Sequence, residues 1–322
     1  MSDAELDRGY DIIGDVHGCA HTLERLLEQM GYRRLNGVWQ HPRRQALFLG
    51  DIIDRGPRIR EALHLVRDMV EAGQARCIMG NHEFNAICWE TPAPPGSGRS
   101  YLREHTERHH RLIGDTLAQF DPWPQEWREF VQWFGDLPLF LDMGPFRLVH
   151  ACWDSSLIEP LRQDYPDGRI DDEFLIASAH WGSFPAQTFD RLLRGTDMRL
   201  PHGITMTGKD GFTRAFFRTK FWEEAPETYG DVVFQPDALP EPVAEKPLTE
   251  QQKAELMIYQ PHDPLLFVGH YWQQGTPQPI RPNLACLDYS AVKYGKLVAY
   301  RWSGETRLER DHFVWVEVPQ MS

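Results

Sequence analysis

Five apolar runs in this chain each end on side chains that can bind a metal ion or a phosphate. The runs begin at Tyr10, Ala46, Ala75, Phe146 and Leu265. The six candidate metal ligands that follow them are Asp15, His17, Asp51, Asn81, His150 and His270. Carboxylate, amide oxygen and imidazole without thiolate suit manganese, iron or zinc better than an all-oxygen calcium cage or a thiolate zinc site. The pattern therefore predicts a metal-dependent site.

The number of candidate ligands indicates how many ions they hold. Six ligands are too many for one tetrahedral ion, but they suit two ions, roughly 3.5–4 Å apart, that share a carboxylate and a water. Asp51 is the expected bridging carboxylate. For any single run, a strand-end Asp or Asn that caps the next turn is an equally good interpretation. Five such runs in register favour one dinuclear site.

The elements that must position these ligands can be predicted from the same runs. Short apolar runs bounded by glycine indicate buried strands, and ligands in open α/β sheets gather beyond the carboxyl ends of strands. Helical spacing separates the first runs, from Leu23 to Met30 with a stop at Gly31, and from Ile59 to Val70. The alternation predicts a parallel sheet with right-handed crossovers.

The rest of the chain is expected to complete a two-sheet α/β sandwich flanked by helices. Residues 100–134 have a helical pattern with three tryptophans, which are more typical of a core than of a binding platform. From Leu284 to Val318 the alternation is typical of antiparallel strands. The predicted organisation is a single domain over 1–322, with a helical insertion at about 90–140 and a second insertion at about 195–262.

Three of the motifs resemble a known family. Asp15-Val-His17-Gly18, then Gly-Asp-Ile-Ile-Asp-Arg-Gly at 50–56, then Gly-Asn-His-Glu at 80–83 look like the signature of the calcineurin-like metallophosphoesterases. The second and third motifs resemble the phosphoprotein phosphatase branch, which includes bacterial diadenosine tetraphosphatases. The resemblance is specific through about residue 83 and resumes weakly at His150 and at 265–300. It implies the same sandwich fold.

Three residues beside the ligands are expected to act on the substrate. The planar fork of Arg55 could hold two phosphate oxygens, or it could simply pair with a nearby carboxylate; its place in the motif favours phosphate. Asn81 is expected to help hold the phosphate. The resemblance implies that His82 protonates the leaving oxygen while Asp54 orients it.

The phosphatase branch carries a further arginine between its third and fourth histidine ligands. Arg194 and Arg199 are the candidates for this second substrate-binding position.

The predicted reaction is metal-dependent hydrolysis of a phosphoester or phosphoanhydride. Hydroxide, formed from a water between the metals, attacks phosphorus in line with the leaving oxygen, so no covalent enzyme intermediate is needed. Manganese is the expected metal, with iron, zinc or nickel as alternatives. Small phosphorylated molecules, nucleotides included, are the expected substrates, because both insertions crowd the predicted site. The alternatives are a serine/threonine protein phosphatase, a nucleic-acid end-processing phosphatase and a non-catalytic binding module.

Composition narrows the partners. The net charge of −13 works against stable nucleic-acid binding. A basic stretch at 191–220 could steer an anionic substrate or pair with the acidic, proline-rich stretch at 223–250. That acidic stretch could gate the site, although a solvated surface excursion is the more usual role for such a sequence. Five cysteines without ligand spacing predict reduced thiols and a cytoplasmic location, and no apolar run is long enough to predict a membrane span.

Overall fold

The computed structural model of this protein describes residues 9–207, 211, 213–234 and 239–319. The strands are β1 (Gly9–Ile13), β2 (Arg33–Leu35), β3 (Val38–Gln40), β4 (Arg44–Phe48), β5 (Ala75–Cys77), β6 (Phe140–Asp142), β7 (Phe146–Val149), β8 (Thr196–Arg199), β9 (Met206–Thr207), β10 (Thr213–Arg214), β11 (Phe216–Thr219), β12 (Leu265–Val268), β13 (Leu284–Cys286), β14 (Asp288–Tyr289), β15 (Lys296–Trp302) and β16 (Phe313–Glu317). The helices are α1 (Ala20–Gln29), α2 (Ile59–Glu71), α3 (Asn81–Glu90), α4 (Glu107–Phe120), α5 (Pro124–Gly135), α6 (Ser155–Asp164), α7 (Asp172–Ala177), α8 (Phe184–Arg194), α9 (Tyr229–Val232), α10 (Glu241–Ala244) and α11 (Glu250–Glu255).

The first sheet is mixed and contains the first three predicted strands. Its order is β14-β15-β1-β4-β5, and β16 pairs with the outer side of β15. Strands β1, β4 and β5 are parallel, in the register Ile12 to Leu47 and Leu47 to Arg76. The expected parallel unit is therefore confirmed, and β15 closes it on the other side by pairing antiparallel with β1.

The second sheet contains the other two predicted strands, in the order β13-β12-β7-β6. Strands β7 and β12 are parallel, and β6 pairs antiparallel with β7. The prediction of antiparallel strands from Leu284 onward is wrong for β13, which is parallel to β12. The reason is that three buried residues show no alternation, so partner and direction are set by the neighbouring strand.

The apolar core fills the space between the two sheets and the space under the helices. Ile12 and Leu47 point between the sheets and share one buried cluster with Phe267 of the second sheet. Their neighbours Ile13 and Phe48 point the other way, into the cluster that includes helices α1 and α2. Both faces of the central strands are buried, which explains their continuous apolar runs. The two-sheet α/β sandwich flanked by helices is thereby confirmed.

Two helices, α4 and α5, occupy most of the stretch predicted to be helical. Trp127 and Trp133 are buried there, as expected, whereas Trp123 is 49% exposed and lies 4.6 Å from the Arg60 guanidinium. The helical insertion touches the centre of the fold through Thr116 of α4, which is fully buried. The division of the chain into one domain with two insertions stays a prediction.

The segment from 196 to 255 forms short strands and short helices around a small core of its own, which includes Leu200, Phe217 and Val232. Parts of the basic and acidic stretches, including Lys209, Asp210 and Asp237, lie outside the described residues. None of the described helices combines the length and the apolar composition that crossing a bilayer requires.

Candidate active site

The ligand-bearing loops follow the carboxyl ends of β1, β4, β5, β7 and β12, and their side chains converge. Asp15, Asp51 and His150 offer ligand atoms that all lie within 4.8 Å of one another, and His17, Asp51 and His82 form a second such group. Asp51 belongs to both groups, which is the position expected of a bridging carboxylate. All of these side chains are buried.

Backbone strain is concentrated in these loops. Five of the eight non-glycine residues with positive φ among the described residues belong to the predicted site: His17, Asp51, Asp54, Arg55 and His270. Such conformations are costly and persist where the surroundings enforce them, commonly at active sites.

Two glycines allow the loops to approach one another closely. A Cβ on Gly80 would collide with the backbone nitrogen and carboxylate of Asp51, and a Cβ on Gly269 would collide with the carboxylate of Asp15. Glycine at these positions therefore allows ligands from separate strands to share one site.

The first half of the cluster is organised around His17. Its Nδ1 donates a hydrogen bond to the Ile53 carbonyl (2.8 Å), so its Nε2 is directed at Asp51 Oδ2, 3.6 Å away. Burial, followed by the nearby His82, lowers the pKa of His17 to about 3, so the imidazole is neutral. A nitrogen lone pair and a carboxylate oxygen thus face each other without a proton between them. A divalent cation would satisfy both atoms.

The second half of the cluster is organised around Asn81. Its Oδ1 lies 3.0 Å from His150 Nε2 and 2.8 Å from His270 Nδ1. His270 also donates its backbone N–H to Asp15 Oδ2 at 3.2 Å. Asp15 Oδ1 and His270 Nε2 are buried and have no hydrogen-bond partner. Because buried polar atoms are rarely left unpaired, these two fit the ligand positions of a metal.

The electrostatics of the cluster also favour bound cations. Burial, followed by the charge of Asp288, raises the pKa of Asp15 well above its usual value. Burial alone would lower the pKa of His150, but the charge and hydrogen bond of Asp51 raise it to about 10. Without bound metal ions, the carboxylates of the cluster therefore favour protons on themselves or on the neighbouring imidazole. Asp15, His17, Asp51 and His150 therefore fit metal ligands in type, burial and spacing. The full set of six ligands stays a prediction.

His82 is held differently from the other imidazoles. Its Nδ1 lies 2.5 Å from Asp54 Oδ2, and the other oxygen of Asp54 accepts a hydrogen bond from the Thr116 hydroxyl. Its Nε2 is 3.2 Å from Arg55 Nη2 and 3.9 Å from Asp51 Oδ2. The Asp54 carboxylate therefore fixes the tautomer and leaves Nε2 facing the cluster. In this arrangement Nε2 accepts a hydrogen bond from Arg55, and the role of His82 as the proton donor stays a prediction.

The two remaining predicted residues lie apart from this cluster. Arg194, at the end of α8, donates a hydrogen bond to Asn85 Oδ1 at 2.8 Å, one helical turn from Asn81. Arg199, on β8, is exposed and lies 5.7 Å from the ring of Phe216. Both assignments stay predictions, and the structure brings a different arginine nearer to the ligands.

That arginine is Arg218 on β11, which the sequence interpretation counted only as part of a basic stretch. Burial, followed by the charge of Arg218, lowers the pKa of His270 well below its usual value. No sequence signal marks Arg218, because its position depends on the pairing of β11 with β8.

Two acids were also missed. Glu83 is fully buried and accepts the backbone N–H groups of Asp51 (2.8 Å), Ile52 (2.8 Å) and Gly80 (2.9 Å), so it holds the bridging ligand's loop. Asp288 is buried near Asp15 and helps to raise its pKa. A signal for Asp288 existed, because it follows the apolar run 284–287 as the predicted ligands follow theirs.

The fold and the site together define a class: a two-sheet sandwich with a dinuclear metal centre at the carboxyl ends of its strands. The sequence profile described as calcineurin-like phosphoesterase matches residues 10–200, which is more than half of the chain. The chain belongs to this family, and the resemblance drawn from its motifs is confirmed.

Curated relatives are similar to part of this chain. The chain is 51% identical over 73 residues to bis(5'-nucleosyl)-tetraphosphatase PrpE [asymmetrical] of Oceanobacillus iheyensis, covering 22% of this chain and 29% of that protein. It is 42% identical over 150 residues to the protein of the same name from Anoxybacillus flavithermus, covering 44% of this chain and 56% of that one. The chain thus spans less than two thirds of the length of either relative.

A solved structure shows the same fold over nearly the whole chain. A protein serine/threonine phosphatase from Saccharomyces cerevisiae superimposes with a TM-score of 0.52 at 13% identity, covering 99% of this chain and 83% of that one. At this identity, the likeness concerns the fold alone.

Proposed function

We propose that this protein is a metal-dependent phosphoesterase that hydrolyses phosphoester or phosphoanhydride bonds in small phosphorylated molecules, with dinucleoside polyphosphates as its main substrates. The observation that carries the proposal is the convergence of Asp15, His17, Asp51 and His150, with Asn81 and His270 in contact beside them, next to a hydrogen-bonded histidine–aspartate pair. Metal ligands alone would fit a structural site, whereas a proton donor at the edge of the cluster fits catalysis.

The metal-holding residues fall into two sets that share Asp51. Asp15, His17 and Asp51 would hold one ion, and Asp51, Asn81, His150 and His270 would hold the other. When bound, two divalent ions lower the pKa of water toward neutrality and offset the negative charge of the phosphoryl oxygens. We propose manganese as the metal, because the mixture of oxygen and imidazole ligands suits it.

Arg55 and Asn81 are proposed to bind the transferred phosphoryl group, together with Arg218. Arg55 extends toward the cluster, where it meets His82 Nε2 at 3.2 Å. Asn81 is the first residue of the ten-residue helix α3, whose positive end therefore faces the same point. Arg218 lies near enough to influence His270. These donors surround the position where negative charge persists through the reaction.

His82 is proposed to protonate the leaving oxygen. A phosphate that takes up the Arg55 donor would free His82 Nε2 to carry a proton, while Asp54 keeps Nδ1 occupied and stabilises the positive charge. The water oxygen forms the new bond to phosphorus and releases a proton to the solvent, the bond to the leaving oxygen breaks, and the proton from Nε2 neutralises that oxygen. His82 then takes up a proton from the solvent. Thr116 holds Asp54 in place through its second oxygen.

The proposed preference for nucleotides is supported by the curated relatives, whose names describe them as bis(5'-nucleosyl)-tetraphosphatases. Their similarity covers 22% and 44% of this chain. For this reason the substrate must be tested directly.

The experiment is a substrate panel assayed with added manganese. It compares diadenosine tetraphosphate, nitrophenyl phosphate, a phosphoserine peptide and a 5'-phosphorylated oligonucleotide by kcat/KM. Each substrate is also assayed with the Asp51→Asn variant, whose residual rate measures contaminating activity, because loss of the proposed bridging ligand should stop turnover of every substrate. We expect the dinucleotide to be turned over with the highest kcat/KM. A phosphopeptide that ranked above every small molecule would overturn the substrate assignment while leaving the reaction class intact.

A further inference from the structure

A cavity of about 760 Å³ lies beside the proposed active site. Helix α3 forms one wall through Phe84 and Cys88, and the turn before α8 forms the opposite rim through Trp181. Three arginines line it, Arg99, Arg103 and Arg194, and we call it the arginine cavity. The acids that line it are Glu104 and Asp190, and both are exposed.

Two of these arginines converge on one neutral side chain. Arg103 Nη1 donates to Asn85 Oδ1 at 2.9 Å, and Arg194 Nη2 donates to the same oxygen at 2.8 Å. Asn85 is 8% exposed, so its oxygen is held inside the protein. A carboxylate at this point would neutralise part of the charge of both guanidinium groups, but an amide oxygen carries no net charge. The arrangement therefore leaves most of the positive charge of the two arginines available at the cavity.

The guanidinium groups of Arg103 and Arg194 lie close together, although their mutual repulsion is unfavourable. Burial, followed by the charge of Arg194, lowers the pKa of Arg103 to about 10. Arg194 has a partial partner in Asp190 at 3.4 Å, but that carboxylate is 60% exposed and screened by solvent. An anion with several oxygens, such as a phosphate chain, would satisfy the forks of both arginines at once.

The cavity lies close to the reacting centre along α3. His82 and Asn85 are three residues apart, so they lie about 4.5 Å apart along the helix axis. Arg103 is also close enough to Asp54, the partner of His82, for their charges to interact. The remote part of a substrate bound at the metal cluster would therefore lie within reach of the arginine cavity.

The rim of the cavity carries an unusual aromatic side chain. Trp181 is fully exposed, with a relative exposure of 101%. Folding does not require the indole there, since it is not packed against the core. An exposed aromatic face next to a basic groove is how proteins hold unpaired bases by stacking.

We infer that the arginine cavity binds the nucleoside phosphate half of the substrate that lies beyond the attacked phosphorus. Arg103 and Arg194 hold its phosphates, and Trp181 stacks on its base. This inference rests on the proposed dinucleotide hydrolysis and extends it, because it assigns the selection of substrate to residues outside the metal cluster.

The first test measures selectivity, the ratio of kcat/KM for diadenosine tetraphosphate to kcat/KM for nitrophenyl phosphate, which has no second half. Trp181→Ala should lower this ratio by roughly 5- to 150-fold, the range for loss of one base stack. Arg194→Gln should lower it by roughly 10- to 150-fold, the range for loss of a charged hydrogen bond. The control is Arg111→Gln, an exposed arginine of α4 that does not line the cavity.

The second test measures binding without turnover. A methylene-bridged analogue of diadenosine tetraphosphate should quench the tryptophan fluorescence of the wild-type protein. Trp181→Phe should remove most of this quenching yet keep the wild-type selectivity ratio, because phenylalanine can still stack on a base. If Trp181→Phe showed full quenching, the base would lie elsewhere and the inference would be wrong.

The outcomes separate this inference from the proposed function. If the wild-type protein cleaves nitrophenyl phosphate but not the dinucleotide, the proposed substrate is wrong, and the arginine cavity has no second half to bind. If it cleaves the dinucleotide and the Trp181→Ala and Arg194→Gln variants keep the wild-type ratio while staying folded, the proposed function stands and the inference is overturned. A lowered ratio in both variants, with Arg111→Gln unchanged, supports the inference.

Discussion

The metal cluster and the arginine cavity are neighbours, but they are built in opposite ways. The side chains of the cluster come directly after buried strands, either in loops or, for Asn81, at the first residue of helix α3, and several of these positions have positive φ. The cavity is lined instead by helix α3, by the segment that follows it and by helix α8 as far as its last residue, Arg194, with an exposed tryptophan at its rim. The backbone of the sandwich fixes the positions of the ligands in the metal cluster, whereas the shape of the arginine cavity depends on how side chains pack.

This difference suggests a division of roles. A reaction that needs ligands at fixed spacings requires rigid loops, because small displacements cost much activity. Recognition of the remote part of a substrate tolerates adjustment and can be changed by substituting surface residues. Substitutions in the cluster should therefore abolish turnover of every substrate, whereas substitutions around the cavity should change the choice among substrates.

The largest expected effect is that of Asp51→Asn. Asp51 lies in both candidate ligand groups. Its loss should therefore weaken the binding of both ions, and by more than the roughly 10- to 100-fold that follows when a residue supporting a ligand is replaced. Turnover of nitrophenyl phosphate and of the dinucleotide should fall together. Elemental analysis and assays of both substrates check this. A variant that retained two tightly held ions and full turnover would rule out the bridging role.

His82→Asn should separate the chemistry from metal binding. It should keep the metals but lower kcat by roughly 10²–10⁴, the contribution of a positioned proton donor. The loss should be smaller for nitrophenyl phosphate, because its leaving group needs little protonation. Equal losses for nitrophenyl and alkyl phosphates would show that His82 has another role. Metal content, measured in the same preparation, serves as the control.

Glu83→Gln tests whether the Glu83 carboxylate supports the metal cluster by holding the backbone of the Asp51 loop. The amide group would present N–H donors to backbone N–H donors at Asp51 or Ile52, so hydrogen bonds would be lost. We expect roughly 10- to 100-fold weaker metal binding and a free energy of unfolding lower by about 1–3 kcal/mol. Titration calorimetry and thermal unfolding measure these two effects. Glu28→Gln, an exposed position of α1, is the matched control and should change neither.

The metal cluster and the arginine cavity also differ in how far the sequence could predict them. Ligands such as Asp15 and His150 were found because each directly follows a strand whose apolar run is visible in the sequence. Asp288 follows the same rule, and the rule was not applied to it. Arg218 and Asn85 could not be found this way, because their contacts depend on how β11 and α3 pack against distant segments. Local patterns reveal sites made by strand ends, whereas cavities between helices require the tertiary structure.

Metal binding should release protons. In the protein without metal, His150 has a pKa of about 10, so it carries a proton at neutral pH that a metal must displace. Affinity should therefore rise with pH below that value, by about tenfold per pH unit for each proton displaced. Calorimetry at pH 7.5 in buffers of different ionisation enthalpy should give at least one proton released. Binding that was independent of both pH and buffer would contradict the assignment of His150 as a ligand.

The smallest expected effect is that of Asn85→Asp, which tests whether the arginine cavity binds an anion. A carboxylate at this position would neutralise part of the field of Arg103 and Arg194, since both already donate to Oδ1. The free energy of unfolding should rise by up to about 1 kcal/mol, as for a modest ion pair. The KM for diadenosine tetraphosphate should nevertheless rise by about fivefold, the factor for about 1 kcal/mol of charge interaction, with metal content unchanged. Asn36→Asp makes the same chemical change at an exposed turn and should leave KM unaltered. Opposite changes in stability and substrate affinity are expected if the positive charge of the two arginines, which the exposed Asp190 offsets only in part, serves to bind an anion. A lower KM in Asn85→Asp would mean that the cavity merely needs rigid arginines, and its proposed role as an anion site would be wrong.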